Sequence, residues 1–317
     1  MKILESIKID SSMPQLHIET PYIESRALTI HSGRSIWLKM EALQPPGSFK
    51  IRGVGLKCQE SVKNGATRFI SSSGGNAGIA VAYAGRRLSI PVIVVVPETT
   101  TDRAKTLVRQ EGAEVLVHGA SWQEANTLAL SMVGSGDAFI HPFDDKLLWQ
   151  GHASMVDEMA RSGGAPDAIV LSVGGGGLLC GVVEGLQRNN WGTVPVIAVE
   201  TIGADSFAQA VKAGNPVELP AIQSIASSLG ARKIAEQAFE WTKHHPIRSA
   251  VVSDRQAVEA CESFILDHRV VVEPACGAAL AAIYENVEQI REFKKVAVIV
   301  CGGVTVTIEQ LKKWSSD

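Results

Sequence analysis

The sequence lacks any apolar run long enough to cross a membrane. Its longest apolar stretch, PVIVVVP at 91–97, falls far short of the roughly 18 residues that a membrane-spanning helix needs. The first ten residues, MKILESIKID, also lack the apolar core of a secretory signal. We therefore expect a cytoplasmic protein that makes no contact with a membrane, and we expect PVIVVVP to form a buried strand.

Cysteines are few, and they do not form the pairs that zinc sites use. The five cysteines are an odd number, are widely spaced, and include no CxxC pair with a matching histidine cluster. A zinc site is therefore not expected, and the cysteines are typical of reduced thiols in a cytosolic chain. They are Cys58, Cys180, Cys261, Cys276 and Cys301.

The sequence also has little excess charge and few aromatic residues. The formal net charge is −3, and the 30 basic residues form no stripe with interleaved aromatics, so nucleic acid is not an expected partner. Hydrophobic residues make up 45% of the chain but aromatic residues only 5%, which predicts a globular protein with an aliphatic interior. A chain of 317 residues has room for two domains or one large α/β unit.

Short β-branched runs alternate with amphipathic segments of helical length. This alternation predicts an α/β fold with largely parallel sheets that are buried on both faces. Strands are expected at 35–40, 67–71, 91–96, 114–119, 167–173, 195–200 and 296–301. Helices are expected at 77–88, 101–111, 121–134, 150–162, 178–188, 205–213, 255–267 and 274–291.

The domain organisation has to be inferred from loops, because the sequence contains no internal repeat, low-complexity tract or long linker. The best candidates for boundaries are the loops near 43 and near 144. They predict a small α/β domain at 44–144, inserted into a large domain formed by 1–43 and 145–317.

Four consecutive glycines follow a predicted strand and precede a predicted helix, in LSVGGGGLLCG at 171–181. Unobstructed backbone N–H groups at a helix N-terminus favour a phosphate. The segment lacks the Lys-Ser/Thr ending of a nucleoside-triphosphate loop. The alternative interpretation is a tight glycine-rich turn without a ligand.

A second loop of similar construction, SSSGGNAG at 71–78, also leads into a predicted helix. Its hydroxyls, glycines and amide suit a second anion such as a carboxylate, and Asn76 can hydrogen-bond a ligand hydroxyl. An N-cap followed by a turn is the alternative for this stretch.

Lys50, in GSFKIRG at 47–53, lies between an aromatic residue and an arginine and is either an ordinary surface lysine or a reactive amine. Cys301 ends a predicted strand. Pyridoxal phosphate needs a lysine that it can bind covalently and a phosphate site, so it accounts for Lys50 and the glycine run together. Cys301 either faces a ligand at the carboxyl edge of a sheet or is a small buried residue. Arg52 either orients the lysine loop or forms a salt bridge at a domain edge, and we expect His152 to be a structural hydrogen-bonding group.

With these residues in place, the chain resembles the pyridoxal-phosphate enzymes of fold type II, whose fold is similar to that of the tryptophan synthase β chain. The resemblance is strongest to the serine dehydratase and serine dehydratase-like (L-serine/L-threonine deaminase) family. It implies two open, twisted, mostly parallel sheets flanked by helices, a pyridoxal 5'-phosphate cofactor and a homodimer. The motifs that carry it are LKMEALQPPGSFKIRG, SSSGGNAGIAVAYAGRRL, HPFDDKLLWQGHAS, LSVGGGGLLCGVVEGL, ETIGADSF, VEPACGAALAA and VIVCGG.

The resemblance also implies a role for individual residues. Lys50 would hold the cofactor covalently and act as the base at the substrate Cα, Phe49 would pack against the cofactor ring, and Cys301 would face the pyridine nitrogen. Asn76 would hydrogen-bond the 3-hydroxyl. The phosphate would be held by Gly174, Gly175, Gly176, Gly177 and Leu178.

Two further sets of residues follow from the same resemblance. The substrate carboxylate would be bound by Ser73, Gly74, Gly75, Asn76 and Ala77. A monovalent cation, potassium, would be bound by Glu200, Ala204 and Ser206, for which a structural loop without a metal is the alternative.

The implied reaction is the dehydration and deamination of L-serine to pyruvate and of L-threonine to 2-oxobutanoate, each with release of ammonia. Serine racemase, a cysteine synthase-like β-replacement, a nucleotide-binding module and a non-catalytic ligand-binding relative are the alternatives. Gly74 stands where racemases carry a serine base and where many serine dehydratases carry alanine, so we expect little racemisation and a slightly roomier pocket. Because the chain ends soon after the last predicted strand and helix, we expect a degradative role without feedback control by isoleucine.

Overall fold

The computed structural model describes residues 13–316, so the outermost parts of the predicted large domain, 1–12 and 317, lie outside the described residues. Within that range the chain forms a six-stranded sheet of order β1-β2-β10-β7-β8-β9 and a four-stranded sheet of order β5-β4-β3-β6. All pairs are parallel except β1 with β2. The strands are β1 Tyr22–Glu24, β2 Ser35–Lys39, β3 Arg68–Ser71, β4 Val92–Val96, β5 Glu114–Val117, β6 Asp137–Phe139, β7 Ala168–Ser172, β8 Val196–Thr201, β9 Ile247–Val252 and β10 Lys295–Ile299.

Helices cover both sheets, which confirms the predicted fold class. The α-helices are α1 Arg26–Ser32, α2 Lys50–Lys63, α3 Asn76–Leu88, α4 Asp102–Gln110, α5 Trp122–Ser131, α6 Lys146–Ser162, α7 Gly177–Arg188, α8 Ser206–Ala213, α9 Glu236–His244, α10 Asp254–His268, α11 Pro274–Tyr284 and α12 Ile308–Ser316. Short 3₁₀ helices occur at Glu41–Leu43, Ser227–Leu229 and Glu288–Ile290.

All seven predicted strands are present, but β1, β6 and β9 were not predicted from the sequence. Each of these three strands lies at an edge of its sheet. An edge strand is covered less completely than a central one, so its sequence needs fewer apolar residues. In β9, for example, only Ala250 and Val252 are buried, whereas every residue of β4 is buried.

The helices depart from the sequence prediction at several places. Helices α1, α2, α9 and α12 were not predicted, and the helix expected at 274–291 ends at Tyr284. Asn286 adopts a left-handed backbone, with φ of 49°, which interrupts that helix. The sequence did not predict α2 because Gly53 and Gly55 lower the helix propensity of this segment.

Local sequence signals fix where several helices begin. Ser253 and Gln256 form a capping box at the start of α10, in which each side chain accepts a hydrogen bond from the backbone of the other. Helix α11 starts with Pro274, whose missing N–H costs nothing in a first turn. Asp145 caps α6 by accepting from the backbone N–H of Leu147 at 2.8 Å.

The four strands of the second sheet lie between residues 68 and 139. The proposed division into a small domain at 44–144 and a large domain on either side of it stays a prediction. Across residues 13–316, no helix combines the length and apolarity needed to span a bilayer.

Candidate active site

Lys50 is the first residue of α2, and its side chain is half-buried. Its Nζ donates a hydrogen bond to the carbonyl oxygen of Pro142 at 2.7 Å and lies 5.2 Å from the centre of the Phe49 ring. Burial lowers the pKa of the Lys50 amine to about 8, although the nearby Cys301 opposes this shift. A lysine with this pKa is neutral far more often than a surface lysine, so its amine can act as a base or nucleophile near neutral pH.

Backbone pairing brings the lysine loop and the end of β10 together. The N–H of Phe49 donates to the carbonyl oxygen of Cys301 at 3.2 Å, and Gly303 N–H donates to the Gly47 carbonyl at 2.9 Å. Gly302 has a φ of 90°, and a Cβ there would lie 2.4 Å from the Gly47 carbonyl oxygen, so only glycine allows this close approach. The structure therefore places the predicted residues Lys50 and Cys301 in one site.

Cys301 is almost fully buried and is expected to keep its proton. Hydrogen bonding to Cys276 and burial raise the pKa of its thiol well above the ordinary value. A thiol in this state can donate or accept a weak hydrogen bond but does not carry the charge of a carboxylate.

The glycine run lies between β7 and α7, where there is no space for side chains. A Cβ on Gly175 would lie 2.3 Å from the ring of Phe143, and one on Gly177 would lie 2.6 Å from the Phe143 carbonyl oxygen. Among residues 13–316, no protein oxygen accepts a hydrogen bond from the N–H groups of Gly175 or Gly176. The loop therefore presents free backbone donors at the N-terminus of α7, as an anion site requires.

The segment 141–143 links this glycine loop to the lysine. Pro142 accepts the hydrogen bond from Lys50, and the next residue, Phe143, packs against the glycines. Burial and the neighbouring Lys50 lower the pKa of His141 to about 4, so this histidine is neutral at physiological pH. Its Nδ1 accepts hydrogen bonds from the N–H groups of Phe143 and Asp144, which holds the turn in place.

The Asn76 loop lies between β3 and α3, and the Asn76 side chain bonds to residues that precede α11 and follow β10. Its Nδ2 donates to Glu273 Oε2 at 2.9 Å, and its Oδ1 accepts from the N–H of Val304 at 3.2 Å. Asn76 therefore connects the loop at 71–78 to segments that follow β9 and β10.

The expected roomier pocket at Gly74 is not found. A Cβ at this position would lie 2.6 Å from Thr100 Cγ2 and 3.0 Å from Val96 Cγ1. Thr100 and Val96 therefore already occupy the space that an alanine methyl group would take.

Comparison with known proteins agrees with this geometry. A family model described as pyridoxal-phosphate dependent enzyme matches residues 13–302. The chain belongs to the pyridoxal-phosphate-dependent enzyme family.

This pyridoxal-phosphate-dependent enzyme is similar to several characterised proteins over nearly its whole length. It is 48% identical over 308 residues to human L-serine dehydratase/L-threonine deaminase, with 94% of each chain covered. It is 47% identical over 307 residues to a mouse serine dehydratase-like protein, covering 94% of this chain and 93% of the other. A fungal L-serine ammonia-lyase from Rhizomucor miehei superposes with a TM-score of 0.91 at 35% identity, covering 96% and 99% of the two chains.

The residues present fit the cofactor of this family. The glycine loop offers unpaired N–H donors to a phosphate, and the half-buried Lys50 amine bonds to Pro142, the residue before the phenylalanine that packs against these glycines. The Phe49 ring lies next to this amine and packs edge-on against His152, with 4.8 Å between the ring centres. His152 does not have the predicted hydrogen-bonding role at Nδ1, which is buried without a partner among the described residues.

The predicted cation ligands also lie together, in the segment from the end of β8 to the start of α8. Glu200 is buried, and its carboxylate accepts hydrogen bonds from the N–H groups of Phe207 and Ala208 at 2.8 and 2.7 Å. Burial raises its pKa to about 8, against the effect of those two hydrogen bonds. The Ser206 hydroxyl is buried without a hydrogen-bond partner among residues 13–316, and Ala204 lies between the two in the same turn.

Glu273 contacts the Asn76 loop, although the sequence did not predict a role for it. Its carboxylate accepts hydrogen bonds from Asn76, from the Ser228 hydroxyl at 2.7 Å, and from the N–H of Thr305 at 2.8 Å. The only local signal for it is the Glu-Pro pair that opens α11, which indicates a helix start rather than a site.

Proposed function

We propose that this enzyme removes water and ammonia from L-serine to form pyruvate, and from L-threonine to form 2-oxobutanoate. The proposal rests on two features and on a relative. The half-buried Lys50 amine has a lowered pKa, and the glycine loop has N–H groups without an acceptor among residues 13–316. The chain is 48% identical to a human protein named for both substrates. The proposed cofactor-binding residues are Phe49, Lys50, Asn76, Gly174, Gly175, Gly176, Gly177, Leu178 and Cys301. The proposed substrate-binding residues are Ser73, Gly74, Gly75, Asn76 and Ala77.

In this proposal the bound cofactor supplies an electron-withdrawing ring that stabilises negative charge at the substrate Cα. The chain's own residues supply binding, orientation and proton transfer. The amine of Lys50, with its lowered pKa, takes the proton from Cα. The N–H groups at the start of α3 bind the substrate carboxylate, and those at the start of α7 bind phosphate.

Cys301 and Gly74 favour elimination over related reactions. A protonated thiol at the end of β10 does not supply the negative charge with which an aspartate would hold a pyridine nitrogen protonated. Cys301 would therefore leave a bound cofactor a weaker electron sink than an aspartate would, which suits a reaction whose leaving group departs early. Gly74 has no side chain that could return a proton to the opposite face of Cα.

A product assay with both substrates tests the proposed function. We expect purified enzyme with added pyridoxal phosphate to release pyruvate from L-serine and 2-oxobutanoate from L-threonine. Since one methyl group discriminates weakly, kcat/KM for the two substrates should differ by no more than about 200-fold. Formation of D-serine, measured by chiral chromatography, should be at least about 100-fold slower than pyruvate formation, because Gly74 has no side chain to act as a second acid-base group.

The same assay separates the alternatives. D-serine formed as fast as pyruvate would identify a racemase. Cysteine formed from serine and sulfide in preference to pyruvate would identify a β-replacement enzyme. Cofactor binding without release of either keto acid would identify a non-catalytic relative.

We propose in addition that Glu200, Ala204 and Ser206 bind a monovalent cation, for which potassium is the candidate. Two features support this site: a buried carboxylate that no cationic side chain pairs with among residues 13–316, and a buried hydroxyl without a partner. A bound cation would offset the charge of Glu200 and use the free Ser206 oxygen. Oxygen ligands suit hard cations of this kind.

The cation proposal predicts how stability depends on pH. The folded-state pKa of Glu200, about 8, lies above its ordinary value of 4.5. The contribution of Glu200 to the free energy of unfolding is therefore fully present below pH 4.5 and is lost as the pH rises through 8. Without potassium, we expect Tm to fall by at least about 2 °C between pH 6 and pH 8.5. Potassium should restore Tm at pH 8.5 and have little effect at pH 6.

Thermal unfolding in choline chloride and in potassium chloride at equal ionic strength measures this effect. The Glu200→Gln variant is the control, because it should lose the dependence of the potassium effect on pH. Equal Tm values in the two salts at both pH values would contradict the cation site.

The family resemblance leads us to propose a homodimer, which size-exclusion chromatography with light scattering can measure. We also propose a cytoplasmic location. It is supported by the five cysteines, all of which are free and buried, as a reducing compartment would leave them.

A further inference from the structure

A cluster of four charged side chains is buried next to the first turn of α2. It consists of Lys39, Glu41, Arg52 and Glu158, and we refer to it as the four-charge cluster. The first three are 0% exposed and Glu158 is 5% exposed. With two cations and two carboxylates, the cluster has no formal net charge.

Arg52 occupies the centre of the four-charge cluster. Its Nε and Nη2 donate to the two oxygens of Glu41 at 2.7 and 2.8 Å. On the other side, Nη1 and Nη2 donate to the two oxygens of Glu158 at 2.6 and 2.7 Å. A further bond from Nη1 to the Ser154 hydroxyl, at 2.9 Å, completes the set of donors.

Each of the two carboxylates also accepts a hydrogen bond from a group other than Arg52. Lys39 Nζ donates to Glu158 and, at 2.6 Å, to the carbonyl oxygen of Thr20. The Thr20 hydroxyl donates to Glu41 Oε1 at 2.6 Å. Every member of the cluster therefore has a fixed orientation, which bidentate guanidinium-carboxylate pairs impose more strictly than single contacts.

The partners of Arg52 belong to elements other than the helix that carries it. Glu41 lies in the 3₁₀ helix that follows β2, and Glu158 lies on α6. Arg52 itself is two residues after Lys50, and its N–H donates to the Phe49 carbonyl oxygen at 3.0 Å. The cluster therefore fixes the turn that carries Lys50 against the six-stranded sheet and α6.

Stability alone is a weak reason to bury four charges. Removing charges from water costs about as much as buried ion pairs return, and apolar side chains of similar volume often stabilise a protein equally well. Bidentate hydrogen bonds, by contrast, fix the orientation of a helix turn more strictly than apolar packing does. A lysine side chain is long and flexible, so the position of its backbone determines where its amine can reach.

We propose that Arg52, held by Glu41 and Glu158, is a positioning residue for Lys50. It keeps the first turn of α2 in the one orientation that places the Lys50 amine between the glycine loop and Cys301. This inference rests on the proposed role of Lys50 in the reaction. The titratable groups that face the amine are Cys301, His141 and His152, none of which belongs to the cluster.

Replacing Arg52 with lysine tests the proposal, because Arg52→Lys keeps the charge and removes both bidentate pairs. We expect kcat to fall by at least about tenfold with KM changed less than threefold, since small displacements of a reacting group are costly. The pH at which the absorption band of the bound cofactor titrates should shift by about half a unit or more. This spectroscopic titration reports on the environment of the Lys50 amine and does not require turnover.

Two further variants make the test decisive. Ser154→Ala removes one hydrogen bond from Arg52 without changing any charge, and we expect a smaller shift of the titration in the same direction. Arg68→Lys breaks a bidentate pair with Asp137, at 2.9 and 2.6 Å between β3 and β6, and should leave kcat and the titration unchanged.

Arg52→Lys and Ser154→Ala variants with wild-type kcat and a wild-type titration, whatever their Tm, would overturn the positioning role. Failure of the wild-type enzyme to form either keto acid would reject the proposed function. The absorption titration would still decide whether Arg52 positions Lys50.

Discussion

Replacing Lys50 with alanine is expected to reduce pyruvate formation from L-serine by at least about 10⁴-fold. A positioned general base alone contributes 10² to 10⁴, and Lys50 would also be the residue that binds the cofactor covalently. The half-buried Lys50 amine has a pKa of about 8. Lys39, the lysine of the four-charge cluster, cannot replace it, because its Nζ is bound to Glu158 and Thr20. Coupled detection of pyruvate measures the loss, and borohydride reduction followed by peptide mass analysis locates the cofactor.

A lysine on the same helix provides the matched control. Lys57 forms a salt bridge with Asp145 at 2.7 Å near the surface, and such a pair contributes at most about 1 kcal/mol. We expect Lys57→Ala to retain activity within about twofold of the wild type. Both variants should bind pyridoxal phosphate through the glycine loop, so an unchanged rate in Lys50→Ala would show that another group is the base.

The residues of the proposed site were recognisable because each belongs to a local pattern. Lys50, Asn76 and the four glycines lie in short motifs at the ends of predicted strands or the starts of helices, where parallel α/β proteins bind ligands. The structure brings Lys50, Cys301 and the glycine loop together. It places Asn76 in contact with Glu273 and Val304.

The residues that were missed make their contacts across long stretches of chain. Glu273 and Asn76 are 197 positions apart, and Arg52 and Glu158 are 106 positions apart. Glu158 appears in the sequence as one acidic residue on an amphipathic helix, a pattern typical of a solvated face. Only the packing of α6 against α2 shows that it is buried and paired.

The fold itself was predictable where burial is complete on both faces of a strand. Strands β4, β7 and β8 are buried along their whole length and were recognised as apolar runs. The edge strands β1 and β6 contain no fully buried residue, and β9 mixes exposed and buried residues, so their sequences differ little from loops. Helix α2 illustrates the opposite case, because Gly53, which is needed for close packing against α6, weakens the helical pattern.

Gly177→Ala is expected to weaken the binding of pyridoxal phosphate by about 5- to 150-fold, which corresponds to about 1–3 kcal/mol for an overpacked site. The new Cβ would lie 2.6 Å from the carbonyl oxygen of Phe143 and 3.1 Å from its Cβ. Relief requires the 141–143 segment to move, and Pro142 in that segment accepts the hydrogen bond from Lys50. The substitution should therefore disturb the phosphate site and the lysine together.

Titration of the cofactor absorption measures this affinity, and Gly164→Ala is the matched control. A Cβ on Gly164 meets no atom within 4 Å, so this variant should bind the cofactor within about 0.5 kcal/mol of the wild type. If Gly177→Ala and Gly164→Ala bind pyridoxal phosphate equally well, the glycine loop is not the phosphate site. Overpacking that destabilised the whole fold would lower both the cofactor affinity and the Tm without cofactor. If Gly177→Ala alone binds the cofactor more weakly and its Tm without cofactor stays close to that of the wild type, the loss therefore lies in the ligand contacts.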